Sequence, residues 1–500
     1  MSRFTNLGAA LFQGAEPDRV ALVDLGGEAP PRRYSFADIE SLSGAVAQAL
    51  LQRGLARGER VAILSANRAE FLLVFLGAMR AGLVAVPVNH KLPAATVAVV
   101  LEDCDARLVF ADAERMALLP PGLPVVAMAE FDAFIAPGLA AGPFDTVVPE
   151  PSDPAMYLYT SGSTGRPKGV VLSHRSHLWV LEVREAGQSD GAEQRVLVAA
   201  PLYHMNGLAV SQFALSSGGL LVLLPGFTAR SYIEAAAAWG ITNLTAVPPM
   251  VAMMLQEADL LARADLGSVK MIRMGSAPVT QSLVDRVRRV FPNASIGNGY
   301  GTTEAGPIVF APHPQGKPTP DTSVGCAHPK VDLRLVRDGR VVTDEGVLEM
   351  RCPALMNGYH KLPEATAKAM TGDGYYITGD VFACDQDGFY TFVGRADDMF
   401  VSGGENIYPG EIETILESNP AILQACVVPL PDEIKGTKPV AFVVLRPGAT
   451  LTEEEARAYV LARAPAYAHP RRVWFLPALP LAGTNKVDRK ALLREAMQDS

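Results

Sequence analysis

The chain has 500 residues, 49% hydrophobic and 19% charged, with a formal net charge of -9. That length exceeds what one core can hold and predicts roughly two to four domains of about 100–200 residues. The hydrophobic content excludes a disordered chain. The acidic balance excludes the basic face that bulk nucleic-acid binding needs, so any anion site must concentrate a few cations locally.

Near the amino terminus, Arg3 precedes only a short apolar run, too weak for a secretory signal. "RVAILS" (60–65) predicts a buried strand, and "NRAEFLLVFLGAMRAG" (67–82) a helix, with Phe71, Val74, Phe75 and Ala78 at helical spacing and Gly82 as a stop. "VAVPVN" (84–89) completes a β-α-β unit. The order repeats at "ARLVFAD", "RVLVAAP", "LLVLLP", "TNLTAVPP" and "VKMIRMG". Such alternation predicts a parallel sheet covered by helices, with its active site at the carboxyl ends of the strands. Phe71–Met79 and Leu220–Leu224 fall far short of the ~20 residues that span a bilayer, so we expect a soluble protein.

From about residue 320 the texture changes. "DLRLVRDGRVV", "GVLEMRC" and "GFYTFVGR" read as antiparallel hairpins punctuated by Asp-Gly and Gly. Beyond Arg395, "EIETILESNP" and "TEEEARAYVLARAP" read as helices, and "ILQACVVPLPDE" and "KPVAFVVLRPG" as strands. The expected boundary falls in Gly394–Asp398, and the last hundred residues form a small α+β lid. Cys104, Cys326, Cys352, Cys384 and Cys426 form no C-x-x-C pair, which points away from zinc and a disulfide framework and toward the reducing cytoplasm.

Four stretches carry chemistry. In "YTSGSTGRPKGV" (159–170), Gly and hydroxyl residues can turn backbone N–H groups toward phosphate oxygens, and Arg166 and Lys168 add charge. The spacing is not that of the G-x-x-x-x-G-K-[ST] loop of nucleotide hydrolases. "GNGYGTTEAG" (297–306) offers Tyr300 as a stacking face and Glu304 as a Mg²⁺ carboxylate. "YYITGD" (375–380) and "GRADD" (394–398) supply Asp380 and Arg395 for a sugar, and "AGTNKVDRKAL" (482–492) places Lys486 in a late loop. Taken singly, each also reads as an ordinary surface loop, turn or solvated charge.

Their order is what discriminates. A phosphate loop, then aromatic-Gly-Thr-Thr-Glu, T-G-D, G-R-x-D-D with a Gly-Gly loop, and a terminal N-K-x-x-R together resemble the adenylate-forming superfamily: acyl-CoA synthetases, luciferases and peptide-synthetase adenylation domains. The resemblance runs from about residue 10 to about 495 and points to the acyl-CoA synthetase branch. It implies an α/β fold: residues 1–396 form a large domain of doubly wound βαβ subdomains plus a small β-barrel-like part. Residues 397–500 form a mobile α+β lid hinged at Asp397.

In this family a carboxylic acid attacks the α-phosphate of ATP to give an acyl-adenylate and pyrophosphate, and a thiol then displaces AMP. Like charges meet in that attack, so cations and oriented donors are required. By resemblance, Thr160, Ser161, Gly162, Ser163, Thr164, Gly165 and Lys168 hold the β- and γ-phosphates. Thr303 meets the α-phosphate, beside Thr302, and Glu304 holds Mg²⁺. Gly275, Ser276, Ala277, Asn298, Gly299, Tyr300 and Gly301 line the adenine side, and Asp380 and Arg395 hold the ribose. Lys486 bridges the carboxylate and the α-phosphate. Lid rotation would withdraw Lys486 and bring in Gly403, Gly404 and the rest of "SGGEN" to line a CoA tunnel, with His204 as the gate. His204 is not needed as a base, because a carboxylate is already a nucleophile at neutral pH. Ile377, where the family often has His or Arg, and Asn485, where Gly commonly precedes the lysine, depart from the pattern.

The acyl pocket is expected to involve Leu181, His204, Met205, Val247, Gly275, Ser276, Gly301 and Ile308, suited to a small-to-medium acid. Our leaning is an aryl, phenylpropenoid or short branched carboxylate. His204-Met205-Asn206 carries no acid where amino-acid-activating relatives have one, which disfavours an amino-acid substrate. With no carrier domain after residue 500, free CoA is the expected acceptor, with Lys435 and Lys438 as candidate contacts for its phosphates. Other acceptors (a carrier-protein thiol, luciferase-like oxygenation) and a silent nucleotide-binding regulator are the alternatives. Homodimers are common in the family.

Overall fold

Strand runs such as Val61–Leu64 are buried throughout, so both faces of their sheet must be covered. In the computed structural model, which describes residues 4–11, 16–26, 30–161, 166–186, 191–402, 405–432, 436–464, 466–482 and 486–499, helices provide that cover. The first sheet has seven strands, and its central ones, Arg60–Leu64, Val84–Pro87 and Ala106–Ala111, are parallel. Helix Ala69–Arg80 joins the first two and is buried on every side rather than along one stripe. It tolerates its charged ends because they are paired: Glu70 with Arg32 and Arg68, Arg80 with Ser43 and Glu40.

At one side of this sheet the parallel pattern stops. Strand β1 (Pro154–Ser161) runs parallel to Val84–Pro87, but β2 (Pro167–Ser173) returns antiparallel to β1. The connection is too short for a crossover helix, so only a hairpin can close it. Lys168 therefore stands on a strand, opposite Thr160, and not within the loop as its motif suggested. Helix α1 (His174–Ala186) follows, and packs on α2 (Met205–Ser217).

The second sheet also has seven strands. It is parallel from β3 (Met271–Gly275) and β4 (Ser295–Gly299) through Leu220–Leu223 to Val20–Asp24, and its edge strand Arg32–Ser35 is antiparallel. An all-parallel reading from strand–helix alternation thus holds for the sheet centres and fails at hairpin edges. The third sheet is antiparallel and carries β5 (Tyr376–Cys384) beside β6 (Tyr390–Arg395). Its Asp338-Gly339 hairpin has φ of 51° and 73°, the positive pair that a two-residue turn of this type requires.

The carboxyl-terminal part is an α+β unit of five strands with helices α3 (Pro409–Glu417), Glu453–Leu461 and α4 (Arg489–Gln498). Thr452 and Glu455 form a capping box at the middle helix. This unit has its own apolar cores, around Leu416 and Val443 and around Phe442 and Leu492. It meets the larger part where Arg446 Nη2 donates to Ser282 Oγ at 2.7 Å.

Candidate active site

Asp380 and Arg395 face each other across the β5–β6 register, and Arg395 Nη1 donates to Asp380 Oδ1 at 2.9 Å. The Tyr300 hydroxyl donates to the other carboxylate oxygen, Oδ2. Asp380 is buried, and burial raises its pKa against the opposing pull of Arg395 and Tyr300. A carboxylate accepts at about four lone-pair positions, so acceptor capacity remains for a sugar. Gly379, at φ 71°, sits beneath: a Cβ there would stand 3.1 Å from Arg395 Nη2.

The strand ends β3 and β4 form the neighbouring wall. A Cβ on Gly275 would lie 2.7 Å from the Gly299 carbonyl oxygen, and one on Gly301 2.6 Å from Pro307 Cα, so both positions demand glycine. Ser276 takes φ 64°, a left-handed conformation that a β-substituted residue adopts at a cost. The Asn298 side chain donates to the Thr322 carbonyl at 3.0 Å and so anchors the wall rather than lying free. Thr303 lies in the tight turn bridged by Thr302 and Gly306.

Glu304 accepts from the Tyr359 hydroxyl at 3.0 Å, and Lys168 Nζ stands 5.2 Å from the centre of the same Tyr359 ring. Tyr359 was missed in the sequence: it reaches the site because "GY" pairs with β2 as an added strand. Burial raises the Glu304 pKa. Among the described residues no cation pairs with this carboxylate, which fits a hard divalent cation arriving with phosphate. No cluster of three or more metal-ligating side chains occurs among the described residues.

Lys486 comes from the last part of the chain yet enters this cleft. Its pKa is lowered by burial, opposed by the charges of Asp380 and Asp398, and its own charge in turn acts on His204. The residue as a whole stays solvent-exposed, so this desolvation is partial, that of a group lining an open cleft. His204 caps the start of α2, its Nε2 is enclosed without a partner, and desolvation lowers its pKa to about 4. It is neutral at pH 7.

The acyl-pocket residues divide. Leu181 and Ile308 share one core, with Met205 packed against it, whereas Val247 belongs to the adjoining core of the second sheet. Asp397 forms an exposed ion pair with Arg395 at 3.0 Å. Lys438 pairs with Asp432 at 3.4 Å. Gly162, Ser163, Thr164, Gly165, Gly403, Gly404, Lys435 and Asn485 lie outside the described residues, and Ser161 is described in backbone only.

With this geometry in view, comparison with known proteins is decisive: residues 12–360 match the AMP-binding enzyme family and residues 411–486 its C-terminal domain. The chain belongs to the AMP-binding enzyme family. Within this adenylate-forming superfamily it falls in the acyl-CoA synthetase branch, and is an acid–thiol ligase. It is 32% identical to 4-coumarate–CoA ligase 5 of Oryza sativa subsp. japonica, over 95% of this chain and 91% of that one. It is 34% identical to sulfoacetate–CoA ligase of Cupriavidus necator, over 92% of each. In structure it resembles the anthranilate CoA ligase AuaEII in complex with anthranoyl-AMP, with a TM-score of 0.89, 25% identity, and coverage of 99% and 98%. No helix among the described residues is long and apolar enough to cross a membrane.

Proposed function

We propose that this AMP-binding enzyme converts a small carboxylic acid, ATP and CoA to the acyl-CoA, AMP and pyrophosphate through an acyl-adenylate. The observation that carries the reading is the convergence of Lys486, from the carboxyl-terminal unit, with Asp380 and Arg395 of the antiparallel sheet. Asp380 and Arg395 hold the ribose, Lys168 meets the polyphosphate, and Thr303 meets the α-phosphate. Lys486 lies where charge gathers as the carboxylate attacks, and a fixed cation there stabilises the transition state. The adenine is held against the wall of Gly275, Ser276 and Tyr300.

Glu304 would hold Mg²⁺, which when bound neutralises charge on the phosphates. Neutral His204 stands between the acid and the thiol route, and serves as a gate rather than a base. For the second half-reaction the lid turns about Asp397, whose exposed pair with Arg395 is cheap to break, and Lys486 leaves. All five cysteines are free thiols, which suits a reducing compartment such as the cytoplasm.

The test is ATP–pyrophosphate exchange across a panel of carboxylic acids, followed by acyl-CoA formation when CoA is added. Exchange dependent on one class of acid is expected. Absence of exchange with every acid would overturn the reading. Acyl transfer to a carrier-protein thiol but not to CoA would leave adenylation standing and replace the acceptor.

A further inference from the structure

Tyr159 on β1 lies opposite Gly169 on β2, one rung before the pair Thr160 and Lys168. Its ring covers that glycine: a Cβ on Gly169 would stand 2.9 Å from Tyr159 Cζ and 3.1 Å from the hydroxyl oxygen. A ring laid over a strand glycine supplies the packing that the missing side chain cannot. The Tyr159 hydroxyl donates to Asp103 Oδ2 at 2.6 Å. Asp103 is the last residue of helix Ala94–Asp103, which packs against β2. The rungs that follow are Thr160 with Lys168 and Ser161 with Pro167, and proline has no N–H to give the ladder. Lys168 thus stands near the open end of a hairpin, and whatever fastens Tyr159 sets where that end lies.

The same helix end fastens the neighbouring segment. The Asp103 carbonyl, one of those a helix leaves without an internal partner, accepts from Lys361 Nζ at 2.7 Å and from His360 Nε2 at 3.1 Å. Lys361 Nζ also pairs with Asp105 at 2.8 Å, and the His360 N–H donates to the Gly169 carbonyl at 2.7 Å. These bonds secure the strand Gly358–Tyr359, which brings Tyr359 to Glu304 and Lys168. One residue at a helix end therefore holds the hairpin through its carboxylate and the Tyr359 segment through its carbonyl.

We propose that Asp103 is a positioning residue for the polyphosphate of ATP: through Tyr159 it fixes the β1–β2 hairpin so that Lys168 stands where the β- and γ-phosphates lie. It touches no substrate itself. This inference rests on the ligase reading above, in which Lys168 meets the polyphosphate. Replacing the Asp103 side chain removes the pin on the hairpin and leaves the carbonyl bonds to Lys361 and His360, so the adenine and ribose contacts are spared.

Titration calorimetry with ATP and Mg²⁺, and separately with AMP, tests this, because AMP lacks the two phosphates in question. Tyr159→Phe and Asp103→Ala should each weaken ATP binding at least tenfold, the scale of one lost hydrogen bond to a carboxylate, and AMP binding less than twofold. Asp103→Asn keeps an acceptor for the tyrosine and should recover most of the loss. Tyr159→Phe combined with Asp103→Ala should cost no more than either alone, since both break the same bond. In turnover, the KM for pyrophosphate in ATP–pyrophosphate exchange should rise in step, while thioester formation from preformed acyl-adenylate stays unchanged. Equal weakening of ATP and AMP would make Asp103 a general structural brace and overturn the proposal. Unchanged ATP affinity in Tyr159→Phe would overturn it as well, and the ligase reading stands in both cases. If the native protein binds neither nucleotide, the ligase reading itself fails. Should Asp103→Ala not fold, Tyr159→Phe and Asp103→Asn decide.

Discussion

Arg395 Nη1 donates to Asp380 Oδ1 at 2.9 Å from the strand directly opposite, and Arg395 Nη2 reaches Asp397 Oδ2 at 3.0 Å. One guanidinium thus joins a buried carboxylate of the proposed nucleotide site to the proposed hinge. Asp380→Asn retains the shape and removes the charge. We expect kcat/KM for ATP to fall about 10²-fold, mainly through KM, at the scale of two lost charge-assisted hydrogen bonds. Steady-state kinetics at saturating acid measures it, and an unchanged KM for ATP would refute ribose contact.

Lys486→Ala should reduce adenylation about 10²–10³-fold, as expected for one lost transition-state cation. Thioester formation from preformed acyl-adenylate should persist. Equal losses in both half-reactions would refute the rotating lid. Because burial lowers the Lys486 pKa, the alkaline limb of adenylation should begin below the ordinary lysine range, and Lys486→Ala should abolish that limb.

Arg489, the arginine of the N-K-x-x-R motif, faces the interior of the carboxyl-terminal unit, the proposed lid. Its Nη2 donates to Glu413 Oε2 at 2.8 Å and its Nη1 to the Val427 carbonyl at 2.7 Å. Arg489→Ala would leave Glu413 enclosed without its cation. We expect a loss of about 2–3 kcal/mol in lid stability, discounted because Arg489 is partly exposed. Limited proteolysis of the carboxyl-terminal part measures this, and unchanged protection would refute the bracing role.

His174 is buried, and the Leu7 N–H donates to its Nδ1 at 3.0 Å, so the ring is held neutral; desolvation lowers its pKa to about 4. An unfolded histidine titrates near 6.5. Between these values the unfolded chain binds more protons, so the stabilisation is present above pH 6.5 and is lost as pH falls toward 4. The slope is about 1.4 kcal/mol per pH unit at most. His177, also lowered to about 4, adds in the same direction. Urea midpoints at pH 7.5, 6 and 5 should decline, and His174→Gln should flatten the decline.

Gly275→Ala would drive a methyl group to 2.7 Å from the Gly299 carbonyl oxygen. Overpacking at this cost, about 1–3 kcal/mol, should lower the melting temperature and weaken ATP binding together, since the same strand ends form the proposed adenine wall. An alanine variant as stable as the native protein would show that these strands can part.

By itself the sequence determined what depends on local pattern. Apolar runs and their turn residues located the strands and helices, Asp338-Gly339 announced its hairpin, and the ordered motifs around Lys168, Glu304, Asp380, Arg395 and Lys486 named the chemistry. Tertiary structure alone decided which distant groups meet. Tyr359 comes beside Glu304 through an added edge strand, Arg489 turns inward to Glu413, and Ser276 accepts a left-handed backbone. Each of these is a product of packing and not of a local motif. Whether a charge is solvated, paired or left waiting for a ligand depends on the burial and neighbours that packing creates, and local spacing does not encode them.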